Sequence, residues 1–142
     1  MASGDITITV SISGSLSNGQ AIASVSHSKT FTSIAALFDR TLSIGTTVQT
    51  LLAIGTAAGA TLAALNFFYI KNLDATNFVQ LGFIDTGAEA FYVQVGPGES
   101  FLYEADKLEA NVTGGAFAAF ADVDAITLDA DTAACICHCV AG

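Results

Sequence analysis

Residues 5–13, DITITVSIS, alternate without a break. Ile6, Ile8, Val10 and Ile12 fall on one side of an extended chain, and Thr7, Thr9, Ser11 and Ser13 on the other. A period of two belongs to a half-buried strand and is incompatible with an amphipathic helix. The same rhythm returns along the chain. It passes through Ile22, Val25 and Phe31, then through RTLSIGTTVQTLLAI, which reads as two strands joined near Gly45. TLAALNFFYIKNL, FVQLGFI, AFYVQV, FLYEA and AITLDADTAACICHCV follow as further strand candidates. SIAALF at 33–38 fits a short helical turn or a strand equally well, and DKLEANVTGGAFAAFADVD holds one short strand or a helical turn.

Turn chemistry separates these runs. Asn18-Gly19 offers a left-handed pair in GSLSNGQ, NLDATN and DTGAE are polar breaks, and GPGES places Pro97 between glycines, where no central strand can run. Seven to nine short strands, with turns about every 8 to 12 residues, predict an all-β chain, an antiparallel sandwich or a closed barrel, of which an antiparallel, jelly-roll-like β-sandwich is the expected fold. Helices alternating with strands are missing from the pattern. No composition break divides residues 1–142, so a single β-sandwich domain is expected, long enough to bury a core.

Composition narrows the function classes. The 142 residues are 52% hydrophobic and only 12% charged, with net charge −9. So little charge on so apolar a chain points to a surface that is either small and polar or covered by partners, which favours an oligomeric or assembled protein. Lys29, Lys71, Lys107 and Arg40 are too few to contact a phosphate backbone, so direct nucleic-acid binding is not expected. LLAIGTAAGATLAALNFFYI has the length of a membrane span, but Thr56, Gly59, Thr61 and Asn66 interrupt it, and two strands around a small-residue turn are the preferred reading. No membrane partner is expected. MASGDITITV has an acid and no basic run, so no secretory leader is expected, and NVTG at 111–114 reads as a turn and not as a used glycosylation site.

Candidates for chemistry are sparse. His27 and His138 are the two histidines. His27 lies among serines, yet no nucleophile elbow, phosphate loop or zinc-hydrolase motif accompanies it, so no catalytic residue is assigned and the chain is not expected to be an enzyme. Asp122 with Asp124, and Asp129 with Asp131, are spaced to share a strand face. They read as solvated strand ends before they read as ligands of a hard cation. Tyr92 and Tyr103 are candidate platforms for a sugar. Cys135, Cys137 and Cys139 with His138 form the most chemical-looking stretch, CICHC. On a strand the three thiols share one face and His138 takes the other. Same-face neighbours are about 7 Å apart and the outer two about 13 Å apart, too far for one zinc ion with Zn–S near 2.3 Å, or for a neighbour disulfide. They are expected to be reduced thiols packed as small hydrophobes, with a link to another segment or subunit as the alternative. No metal or cofactor is assigned.

The order FFYIKNLDATNFVQLGF, then AFYVQVGPGESFLYE, then ITLDADTAACICHCV, over roughly residues 65–140, resembles β-sandwich structural proteins of tailed bacteriophages, which serve as capsid decoration or tail-associated subunits. The resemblance implies a virion protein, assembled in the host cytoplasm, that works by self-association as a homo-oligomer, a trimer, and by docking on a major capsid protein or another virion protein. It brings no catalytic residue with it. The alternatives are a tail- or neck-associated subunit, or a glycan-binding β-sandwich module.

Overall fold

A computed structural model describes residues 3–104, 109–110 and 121–142. Every regular element among them is a strand. The chain separates after Ala35 into two compact units, an N-terminal ribbon and a body running from Ala36 to Gly142.

The ribbon is one antiparallel hairpin of β1 (Gly4–Ser15) and β2 (Ala21–Ile34). Its register sets Ile6 opposite Phe31, Ile8 opposite Lys29, Val10 opposite His27 and Ile12 opposite Val25. On the other face the hydroxyls pair with each other: Thr7 with Thr30 and Thr9 with Ser28 at 2.8 Å, and Ser11 with Ser26 at 3.3 Å. The alternation in DITITVSIS therefore yields one hydroxyl ladder and one largely apolar face. At the tip, Gly19 has a positive φ of 86°, but Asn18 does not join it in the left-handed region. Asn18 instead accepts the Gln20 N–H through Oδ1 at 3.0 Å, so a side chain supplies what a second left-handed residue would have supplied. At the base, Ser33 takes φ 59°, and its N–H donates to Asp5 Oδ1 at 3.2 Å.

The body contains β3 (Phe38–Ile44), β4 (Gln49–Ala53), β5 (Phe67–Asn72), β6 (Val79–Asp85), β7 (Ala90–Val95), β8 (Ser100–Glu104), the two-residue β9 (Glu109–Ala110), β10 (Ala121–Ala130) and β11 (Cys135–Ala141). One sheet runs β3-β11-β5-β8 and the other β4-β10-β6-β7, with β9 added beside β10, and all pairings are antiparallel. With β9 set aside, the sheets hold strands first-eighth-third-sixth and second-seventh-fourth-fifth. That is the order of a jelly roll. The stretch 33–38, left open by sequence, supplies the end of β2 and the first residue of β3. The apolar run at 51–70 ends β4, passes through a loop and begins β5, and no helix of the described residues is long and apolar enough to cross a membrane.

The core forms between the two sheets. Phe68 of one sheet meets Phe83 of the other edge-on at 6.5 Å, and Phe83 stacks on Phe91 at 4.7 Å. Ile44, Leu52, Ile70, Leu81, Ile126 and Leu128 fill the space around them and are almost wholly buried. Aromatic pairs of this kind contribute about 0.5–1.5 kcal/mol beyond their buried area.

Candidate functional site

β11 lies inside its sheet, between β3 and β5. Strand alternation turns Cys135, Cys137, Cys139 and Ala141 to the core, where all four are fully buried, and leaves Ile136, His138 and Val140 on the outer face. None of the three cysteines is in a disulfide. Burial pushes the Cys137 thiol up to about 11 and the Cys139 thiol to about 12, with the adjacent thiol adding to each. Cys135 is raised too, first by burial and then by the nearby charges of Asp74 and Asp131. A buried thiol with a raised pKa is a poor nucleophile at neutral pH. Cys135 Sγ lies 3.8 Å from the Phe78 carbonyl, within reach of a weak S–H donation.

On the outer face His138 Nε2 lies 2.8 Å from Asp39 Oδ1, and both residues are well exposed. Sequence reading misses this partner, because 99 residues separate the two and only the β3–β11 register joins them. Thr41 and Lys71 flank His138 on the neighbouring strands. A solvated pair of this kind is worth about 0–1 kcal/mol and does not build a proton relay by itself. His27 sits on the ribbon opposite Val10, in the other unit.

The acidic pairs do not converge. Val123 is buried between exposed Asp122 and half-buried Asp124, and a register shift then follows before Ala125. Asp129 lies on β10, 3.4 Å from the Gln80 amide Nε2, while Asp131 is in the turn beyond. Among the described residues no group of three or more His, Cys, Asp or Glu side chains could hold a metal ion. The 111–114 sequon lies outside the described residues.

Other carboxylates close turns. Asp74 Oδ1 accepts the N–H groups of Thr76 at 2.8 Å and Asn77 at 2.7 Å, which hold its pKa below the usual value. Asp85 Oδ1 accepts from Gly87 and Glu89, and Glu99 Oε2 from Gly96. Buried Asn72 donates to the carbonyls of Asn77 at 2.9 Å and Val95 at 3.2 Å, and accepts the Asp74 N–H at 3.0 Å. NLDATN, DTGAE and GPGE are therefore side-chain-capped turns that pin the strand ends.

The tyrosine candidates separate. Tyr103 packs partly buried against the core, whereas Tyr92 is 55% exposed on the outer face of the β4-β10-β6-β7 sheet. Its ring lies over Gly82, where an added Cβ would come within 2.8 Å of it. Gln94, Gln80 and Asp129 form the adjacent polar row.

A last feature lies between the outer strands β3 and β4. A cleft of ≈ 180 Å³ is lined by Phe38, Leu42, Ile44 and Leu51, with Arg40 5.4 Å from the centroid of the Phe38 ring. Fold and surfaces together define a jelly-roll β-sandwich in which several carboxylates close turns and whose described surface includes a ribbon, a cleft and the exposed Tyr92. No family model, curated protein or solved structure matches the chain.

Proposed function

We propose that the chain is a virion structural subunit, a capsid decoration protein of a tailed bacteriophage that acts by self-association, as a trimer, and by docking on the major capsid protein lattice. The observation that carries this reading is the N-terminal ribbon. A two-stranded hairpin is marginal in water by itself, yet this one projects Ile12 and Val25 with 56% and 58% exposure. Such a face is suited to burial against another subunit. The resemblance of residues 65–140 to phage β-sandwich proteins, and a body whose carboxylates close turns, support the same reading. Quantitative mass spectrometry of purified particles from the host that encodes the chain tests it. The expected result is this chain at a fixed copy number per major capsid subunit, in multiples of three; particles free of it would overturn the proposal, and a copy number of a few per particle would favour a tail or neck position.

Tyr92 favours a second reading, a glycan-binding module. Its ring is fixed over Gly82 with one face in solvent, beside Gln94, Gln80 and Asp129, a suitable floor for the apolar face of a pyranose with hydrogen-bonding groups at its rim. A glycan array probed with the wild type and with Tyr92→Ala decides it: signal lost in the variant supports the module, and no signal from either removes it.

A further inference from the structure

We propose that the tip of the ribbon of one copy docks into the β3/β4 cleft of a second copy, an inference that rests on the self-association part of the function proposed above. The donor is defined by exposure along the ribbon. Ile6, Ile8 and Val10 are half-buried, whereas Ile12, Val25 and Leu16 at the far end are exposed. Ile12 and Val25 are directly opposite in the register, and Leu16 begins the turn. They form one apolar knob.

The acceptor is the cleft between the outer strands of the two body sheets. Phe38, Leu42, Ile44 and Leu51 line it together with four polar residues, Arg40 and Gln49 among them. Leu37 and Val48, just ahead of β3 and β4, are both exposed at its margin. A volume of ≈ 180 Å³ takes one or two branched side chains, since a cavity of about 150 Å³ holds benzene. β3 and β4 are the end strands of their sheets among the described residues; Thr61 and Leu62 take up the outer backbone groups of β4 at Ala53, so the outer edge of β3 is the one that offers N–H and C=O groups to an incoming segment as in strand addition. Arg40 at the cleft adds a donor for the carbonyls of an incoming turn.

Charge selects the occupant. Asp5 and Lys29 are the charged residues of the first 35, so the ribbon is neutral and the entire −9 belongs to the body. Two bodies meeting face to face repel. A neutral ribbon is the part of this chain able to approach another copy's acidic body without that penalty. Ribbon to cleft is a head-to-tail contact, which closes into a ring when the rotation between copies allows it. Three copies then give the trimer.

Cross-linking between separately made single-cysteine variants tests the contact. The native thiols are buried and protonated and stay silent to a short bis-maleimide at neutral pH. Leu16→Cys protein is mixed with Val48→Cys protein, treated with the reagent and run under denaturing conditions. A covalent dimer at twice 14.5 kDa, formed by the mixture and by neither variant alone, is expected, and adding Ile12→Ser with Val25→Ser to the Leu16→Cys chain should cut its yield at least about 10-fold. No mixed dimer, or a dimer formed by Leu16→Cys alone, would each overturn the proposal, as would a link closed within one chain when Leu16→Cys and Val48→Cys are placed in the same protein. Particle association is measured separately, so failure of this contact and failure of the virion role are told apart.

Discussion

Cys135, Cys137 and Cys139 face the opposite sheet, and their chemistry follows from that position. A sequence that looks made for metal is a row of small core side chains, as the two-residue period of CICHC already implies. Their accessibility is a direct check: in native protein the three thiols should react with a chromogenic disulfide about 100-fold or more slowly than in denaturant, because reaction waits on opening of the core. The same burial sets a pH dependence. A thiol of ordinary pKa near 9 ionises in the unfolded chain while Cys137 and Cys139 stay protonated up to about 11 and 12. The unfolded state then binds fewer protons, so the stabilisation is complete below about pH 9 and is lost as pH rises towards 12. Tm measured from pH 8 to 11 should fall above 9, and should fall less steeply in Cys137→Ala/Cys139→Ala. Asn72 carries a different burden. Asn72→Ala leaves the carbonyls of Asn77 and Val95 and the Asp74 N–H without their partner, and denaturant melts should show a loss of about 2–4 kcal/mol.

Strands and turns divide what sequence discloses from what it hides. The strand runs at 5–13, 67–72, 79–85 and 90–95 are legible because alternation and turn residues are local. The inward set Phe91, Val93 and Val95 and the outward pair Tyr92 and Gln94 follow from period alone. Pairing is not local: β11 lies between β3 and β5, strands that precede it by some 65 to 95 residues, so the Asp39–His138 pair could not be read. Nor could the closeness over Gly82, which depends on Thr127 and Tyr92 from two other strands. Gly82→Val would place its Cβ 2.4 Å from Thr127 Oγ1 and 2.8 Å from the Tyr92 ring, and should cost about 1–3 kcal/mol in a urea melt through overpacking. The separate ribbon is also hidden, since its alternating face reads like any sandwich strand. What differs is length: β1 and β2 run to 12 and 14 residues, whereas the β3, β4 and β5 that follow have 7, 5 and 6.

At the scale of the molecule, an acidic jelly roll is joined to a neutral ribbon, and solution behaviour should reflect that division. The body contains the hydrophobic core, so removal of residues 1–35 should leave a cooperatively folding protein with nearly unchanged thermal midpoint but no self-association. Repulsion between bodies of charge −9 opposes assembly, and salt screens it with a Debye length near 10 Å at about 0.1 M. Association should therefore tighten as ionic strength rises, unlike a contact held by ion pairs. The most direct measurement of the central claim is sedimentation equilibrium of the full chain over a range of concentrations at about 0.15 M salt. A self-associating subunit predicts a mass converging on three times 14.5 kDa, reduced to the single-chain mass by Ile12→Ser/Val25→Ser; a wild-type mass of 14.5 kDa at every concentration would contradict it.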